Sequence, residues 1–392
     1  MIPYGHHDID EDDVRAVADV LRGEWLTTGP AVIEFERDLM AWTGGVPTVA
    51  VSSGTAALHT AYAAAGLGPG DELITTPMTF IATQATAAIL GVTNVFADVC
   101  PDTATIDPEC VRAAITDRTR AIVAVDYAGH PADMDDLRAI ADEHGLLLIE
   151  DAAHSLGSTY RGRAVGSLAD LTAFSFFPTK NITTAEGGAV SAADPDLLQR
   201  AREFSRQGLI RDVARHRDQD VGPWHQEVHA FGINYRLPDV LATLGSSQLR
   251  RLAHFKEQRA AIKARYDAAF SGLPGVDIPA QRPDVDPTWH LYPLRVPALH
   301  RREIFESLRA AGIAVQVNYI PAYWHPVFAD LGFRKGLCPV AEDFYAREIS
   351  LPMYSGLSQD DQRVVIDTVR ALLEPFTALT PLPPFTTPRD EP

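Results

Sequence analysis

The sequence predicts an α/β protein with two parts: a large domain around a mostly parallel, buried sheet, and a smaller C-terminal α+β domain. Three observations predict it. Short apolar runs alternate with helical patterns from Pro47 to Ala153, the 392-residue length and 46% hydrophobic content exceed what one compact unit usually holds, and a fresh strand–helix–strand pattern begins at His290. The division expected is a large domain over 1–250, a small domain over 251–375 and a disordered tail over 376–392, where PLPPFTTPRDEP is proline-rich and polar.

Asp8 to Leu21 reads as a helix, with Ile9, Val14, Val17 and Leu21 at helical spacing and acidic residues crowding the first turn, where the helix dipole favours them. Gly23 to Pro30 reads as a loop, Pro47 to Val51 as a strand, and Ser52-Ser53-Gly54-Thr55 as the lead into a helix from Ala56 to Ala65. ELITT is strand-like, PMTFIATQATAAIL helical, TNVFADV strand-like, Pro108 to Ile115 helical and AIVAVDY a strand. DMDDLRAIADEHG is helical, and LLLIEDAA is a strand ending in an acid. Such alternation implies right-handed crossovers, which place ligands at the carboxyl ends of the strands. Arg250 to Phe270 reads as a long amphipathic helix bridging the domains, followed by HLYPLRV, HRREIFESLRAAGI and AVQVNYI as strand, helix and strand.

Composition excludes several classes of function. A formal charge of -18, from 52 acidic against 34 basic residues, argues against a general nucleic-acid or anionic-membrane binder. Cys100, Cys110 and Cys338 are odd in number and lack CxxC spacing, so neither a disulfide framework nor a metal site is expected. IPYGHHDIDEDD lacks the basic start and apolar run of a signal peptide, and no uncharged stretch of membrane-spanning length follows; a cytoplasmic protein without a membrane partner is expected.

Lysine usage is the sharpest clue to chemistry. Four lysines stand against 30 arginines, and Lys180 is the only one before residue 256. It follows the apolar strand LTAFSFF and precedes NITTAEGGAV, a setting of partial burial and small residues in which an amine of lowered pKa can attack an aldehyde. Lys256, Lys263 and Lys335 read as solvent-exposed. Asp151, at the end of LLLIEDAA, could keep a pyridine nitrogen protonated, or simply cap the next helix. Ser53-Gly54-Thr55 at a helix start could cradle a phosphate with backbone N–H groups, or be a plain cap. Ser175, five residues before Lys180, could add a hydroxyl to that phosphate.

The runs SSGTAAL, PMTFIAT, EDAAHSLGS, FSFFPTKNITTAEGG and GINYRLPDVLATLGSSQL resemble, in order and spacing, the DegT/DnrJ/EryC1/StrS family of sugar aminotransferases, from about Tyr4 to about Pro352. The resemblance implies fold type I, a seven-stranded sheet between helices, and pyridoxal 5'-phosphate covalently held by Lys180, with pyridoxamine phosphate as its aminated form. It implies that Asp151 meets the pyridine nitrogen, that Phe80 stacks on the ring, and that Gly54, Thr55, Ala56 and Ser175 hold the phosphate. His154 falls near the phenolic oxygen, where many members have Gln. Asn234 matches a residue that reaches the phosphate from the neighbouring subunit of a homodimer.

Within the family, IPYGHHDID, WLTTGP, VDYAG, HLYPL and AEDFYAREISLP are most similar to enzymes that aminate C4 of a UDP-4-keto-6-deoxy-N-acetyl-hexosamine in pseudaminic acid biosynthesis, with an amino-acid donor such as L-glutamate. That similarity implies sugar-nucleotide contacts from Tyr4, Leu26, Thr27, Ser53, Arg236 and Tyr319; Tyr4 and Tyr319 equally fit half-buried packing. Pro178-Thr179 before the lysine and Asn318, where relatives more often carry His, depart from the pattern on the substrate side and leave the sugar open. Amination at C3, a dTDP-sugar or a cyclitol are the alternatives, and a non-catalytic sensor on the same fold is a third, disfavoured because neither Lys180 nor Asp151 is lost.

Overall fold

The computed structural model describes residues 1–377 apart from residue 219. Its strands run β1 Thr48–Val51, β2 Glu72–Thr75, β3 Thr93–Phe96, β4 Thr119–Val125, β5 Leu147–Asp151, β6 Leu171–Ser175 and β7 Gly188–Ser191. They form one seven-stranded sheet in the order β1–β7–β6–β5–β4–β2–β3. β6, β5, β4, β2 and β3 are mutually parallel, while β7 runs antiparallel to both of its neighbours.

Successive side chains of a strand point to opposite faces, and here both faces are apolar. Ile122, Ala124, Leu148 and Phe174 enter one core, with Phe35, Leu39, Leu137 and Ile140 from helices on that side. Ala121, Val123, Ile149 and Ala173 enter the other, with Leu58, Ala61 and Tyr62. Covering both faces is what lets these strands be continuous apolar runs, and it leaves the ends of the strands as the place where polar groups can gather.

The helices preceding and covering the sheet are α1 Glu11–Arg22, α2 Pro30–Met40, α3 Gly54–Ala64, α4 Ala82–Ile89, α5 Pro108–Ala114, α6 Met134–His144 and α7 Pro195–Phe204. A short hairpin follows, β8 Leu209–Ile210 with β9 Glu227–Val228, and then α8 Asp239–Leu249 and α9 Leu252–Phe270. The C-terminal part pairs β10 Tyr292–Arg295 with β11 Glu348–Leu351 and packs α10 Arg301–Ala310 and the last helix, Gln359–Thr377, over a core including Tyr266, Phe270, Tyr292, Ile304, Leu308 and Val365. The N-terminus joins this part, Ile2 bridging Ile313.

Several expectations need correction. Helix α2 and strand β7 were not anticipated from sequence, and the helix expected from Pro77 begins only at Ala82. Pro77 to Ile81 instead form a turn, with the Thr76 hydroxyl accepting the Met78 N–H. AVQVNYI is not a strand: it makes one isolated bridge, at Gln316, and the Asn318 N–H is taken by the Glu348 carboxylate. The buried stripe of α9 has helical spacing but includes Arg259 and Lys263, so Lys263 is not solvent-exposed. It pairs with Asp267 at 2.5 Å and lies 4.7 Å over the Trp289 ring, which compensates the buried charge. Lys256 is likewise largely covered, donating to the Gly157 carbonyl at 2.8 Å. The tail expected over 376–392 lies outside the described residues except for 376 and 377, which end the last helix.

Candidate active site

β5 delivers two consecutive carboxylates to the carboxyl edge of the sheet, and strand alternation sends them apart. Glu150 turns away, accepting from the Thr172 hydroxyl at 2.9 Å and the Gly166 N–H at 3.2 Å. Asp151 lines a cavity of about 480 Å³ together with Lys180, which follows β6, and with Ser175, the last residue of that strand.

Asp151 is buried, with Oδ2 accepting from the Thr83 hydroxyl at 2.7 Å and Oδ1 from the Ala153 N–H at 3.2 Å. Burial pushes its carboxyl up, opposed by these two donors and by the charge of Lys180. The Lys180 amine, enclosed in the cavity, is pushed down to about 8 by burial while Asp151 pulls it the other way. A lysine lowered to about 8 keeps a minor but reactive neutral fraction near physiological pH, and that fraction is a nucleophile for aldehydes. A carboxylate in so dry a site gains most from a cationic partner, which a protonated ring nitrogen would be.

The N-terminus of α3 closes one end of the cavity. Ser53 caps it, its Oγ accepting the Ala56 N–H at 3.0 Å, so Gly54 and Thr55 keep the open donors that a helix start provides. Gly54 is needed there: a Cβ would stand 2.6 Å from the Ser175 Cβ, so only glycine lets this helix start meet β6. Phe80 stands 59% exposed on the cavity wall, its ring 6.2 Å from that of Tyr319, offering an uncovered aromatic face.

His154 is buried, and burial, then the Lys180 charge, drive its imidazole well below the ordinary range, so it is neutral. Its Nε2 lies 3.2 Å from the Tyr319 hydroxyl, and its Nδ1 is buried with no protein partner among the described residues. Tyr4 also lines the cavity, its hydroxyl accepting from the Asn318 side-chain amide at 2.6 Å, and Asn318 in turn donates to Ser350 at 3.0 Å.

Tyr4, Ser53, Gly54, Thr55, Phe80, Asp151, His154, Ser175, Lys180 and Tyr319 therefore share one cavity. Leu26, Thr27, Ala56, Asn234 and Arg236 do not line it, Ala56 being buried with its N–H taken by Ser53. Arg236 faces a separate crevice with Thr28, Ile33, Arg206 and Arg211, while Leu26, Thr27 and Asn234 are exposed. Sequence reasoning missed Thr83, Thr79 and His290 on the wall. Thr83 sits inside PMTFIAT, but its role depends on the turn over Pro77 to Ile81, which a helical reading of that run conceals.

A helix start with open donors, an uncovered aromatic face, a buried carboxylate with no direct ion pair among the described residues and an orphaned His154 nitrogen around one nucleophilic amine fit pyridoxal phosphate. Because the amine reacts only when neutral and its pKa is lowered to about 8, covalent cofactor uptake by cofactor-free protein is expected to accelerate with pH and level off above about 8. Stopped-flow uptake at a series of pH values checks this; a rate still climbing tenfold per pH unit at pH 9 contradicts it.

The DegT/DnrJ/EryC1/StrS aminotransferase family model matches residues 7–370. The chain is 36% identical to the UDP-4-amino-4,6-dideoxy-N-acetyl-beta-L-altrosamine transaminase of Campylobacter jejuni, over 95% of this chain and 98% of that one. It is 37% identical to the dTDP-3-amino-3,4,6-trideoxy-alpha-D-glucose transaminase of Streptomyces venezuelae, over 92% and 91%. A Streptococcus pneumoniae protein assigned as a sugar aminotransferase and solved in its PMP form superposes with a TM-score of 0.90 at 32% identity, covering 96% of this chain and all of that one. With its match spanning nearly the whole chain, this protein belongs to the DegT/DnrJ/EryC1/StrS family and is a pyridoxal-phosphate-dependent aminotransferase of fold type I.

Proposed function

We propose that the protein transfers an amino group from an amino-acid donor, L-glutamate being the expected one, to a nucleotide-linked keto sugar, at C4 of a UDP-4-keto-6-deoxy-N-acetyl-hexosamine. The observation that carries the transamination is the placement of a lysine amine lowered to about 8 and a buried carboxylate in one cavity. The sugar assignment rests on the runs IPYGHHDID, WLTTGP, VDYAG, HLYPL and AEDFYAREISLP, which resemble the C4-aminating group.

In this reading Lys180 holds the cofactor covalently, and Asp151, oriented by Thr83 and Ala153, pairs with its ring nitrogen. Bound pyridoxal phosphate supplies the electron sink that stabilises negative charge on the substrate carbon. The Lys180 amine, when not bonded to the coenzyme, would take the proton from the donor's α-carbon and hold it for return. Gly54 and Thr55 at the start of α3, with the Ser175 hydroxyl, would receive the phosphate; Phe80 would cover the ring; His154, being neutral, offers or accepts one hydrogen bond without adding charge.

We also propose a homodimer with a shared site. Leu26, Thr27, Asn234 and Arg236 lie outside the Lys180 cavity of their own chain, and large apolar side chains are exposed in the same regions: Trp25, Leu26, Ile33 and Phe231, the last 97% exposed. A second copy that covers this surface would bring those residues to its partner's cavity. The neighbouring crevice is lined by Arg202, Arg206, Arg211, Arg215 and Arg236, partly balanced by Glu203 and Asp212 and by Glu36, which pairs with Arg202 and Arg206; the remaining positive charge suits a nucleotide diphosphate in an otherwise acidic protein. A cytoplasmic location fits three free cysteines and the lack, among the described residues, of a helix long and apolar enough to cross a membrane.

The second reading, a dTDP-keto sugar or cyclitol aminated at C3 or C4, is favoured by the name of the Streptomyces venezuelae relative, whose identity to this chain equals that of the UDP-sugar enzyme within one percentage point. Incubating the enzyme with glutamate and a panel of UDP- and dTDP-keto sugars, with products read by mass and NMR, separates the two. The proposal expects an amine at C4 of the UDP-linked N-acetyl sugar; amination confined to dTDP-sugars would refute it. For the shared site, Asn234→Ala is expected to weaken cofactor retention about tenfold, the cost of one hydrogen bond to a charged group. Unchanged coenzyme loss on dialysis would count against it.

A further inference from the structure

Two buried carboxyls that the proposed chemistry does not use flank Asp151 on the far side of the sheet edge. Asp126 follows β4, where its N–H extends the ladder to the Asp151 carbonyl at 3.1 Å, and Glu150 precedes Asp151 on β5. Ala124 pairs with Glu150 across the two strands, and alternation puts Asp126, two residues on, on the same face as Glu150. Both side chains are fully buried, neither lines the Lys180 cavity, and neither forms an ion pair among the described residues.

Protein donors reach three of the four carboxyl oxygens. Asp126 Oδ2 accepts from the Ser155 hydroxyl at 2.5 Å and Oδ1 from the Ala132 N–H at 3.2 Å, while Glu150 Oε2 takes Thr172 and Gly166. Glu150 Oε1 is buried and receives no donor, and the Glu150 carboxyl stands within hydrogen-bonding reach of Asp126. Two carboxylates facing each other would leave that oxygen unpaired and would repel; one proton between them turns the contact into a hydrogen bond. The electrostatics agree. Burial, then the Glu150 charge, pushes the Asp126 carboxyl well up, and burial pushes Glu150 up, so the pair retains a proton where lone carboxyls would have lost theirs.

We infer that Asp126 and Glu150 share one proton, and that they are positioning residues for the coenzyme site. Asp126 holds the Asp151 carbonyl through its own N–H and holds Ser155, the residue after His154, through its carboxyl. The shared proton ties this clasp to β5, so the end of that strand and the loop carrying His154 keep one arrangement. The pair also sets a single negative charge beside Asp151, where two would add to the cost that burial already imposes on that carboxylate.

Infrared spectra of the holoenzyme at neutral pH test the shared proton. Subtracting the spectrum of Glu150→Gln from that of the wild type should leave the C=O stretch of one protonated carboxyl per chain, with signals from other buried acids such as Glu348 cancelling. Loss of ionised-carboxylate bands alone would overturn the inference. Glu150→Gln is expected to fold, because the amide oxygen keeps Thr172 and Gly166 while the NH₂ donates to Asp126. Neutron diffraction from wild-type crystals grown in D₂O needs no variant: deuterium between Glu150 Oε1 and Asp126 is expected, and none there would refute the pair. For the positioning role, coenzyme loss on dialysis should be about tenfold faster in Glu150→Ala, which removes the hydrogen bond, and unchanged in Glu150→Gln; equal loss in both would contradict it. That last measurement rests on the proposed pairing of Asp151 with the ring nitrogen, whereas the spectra and the neutron density do not.

Discussion

The structure turns on an electrostatic constraint: an amine and a carboxylate set in one cavity at the edge of a sheet. Neither is comfortable there alone. Burial drives the Lys180 amine toward neutrality and the Asp151 carboxyl toward protonation, and each partly restores the charge of the other. A coenzyme with an aldehyde for the amine and a basic ring nitrogen for the carboxylate resolves both costs at once. That complementarity explains why the two groups are tolerated in a core otherwise apolar on both faces of the sheet.

The fold supplies the constraint cheaply. Parallel strands end together, so β5 and β6 bring Asp151, Ser175 and the Lys180 loop to one edge without long excursions. Alternation along β5 separates Glu150, bound to Thr172 and Gly166, from Asp151 in the cavity. Glycine at position 54 allows the helix start to press against β6, and at position 188 a Cβ would stand 2.4 Å from the Ser53 carbonyl oxygen, so glycine is needed there as well for β7 to pass behind that cap. The helix start proposed to take the phosphate is therefore held by the same contacts that pack the sheet.

Much of this was legible in the sequence. The apolar runs gave away the sheet because their burial on both faces removes polar alternation, and Lys180 stood out because lysine is so rare in the chain. What escaped was what periodicity cannot encode. Thr83 reaches Asp151 across 68 residues of chain, from a run whose first half is a turn rather than a helix. Lys263 resembles an exposed helix lysine until its partners, Trp289 and Asp267, are known. AVQVNYI alternates like a strand, yet its backbone donor at Asn318 goes to a Glu348 carboxyl that burial pushes up to about 8. Asn234 and Arg236, expected at the cavity, lie outside it, and the shared site proposed above is what would reconcile sequence with geometry.

Reduction of the holoenzyme with borohydride, followed by peptide mapping by mass spectrometry, tests the central claim most directly. The account predicts a pyridoxyl group on the peptide containing Lys180 and on no other. Label on Lys256, Lys263 or Lys335, or none at all in an enzyme that still transfers amino groups, would contradict it.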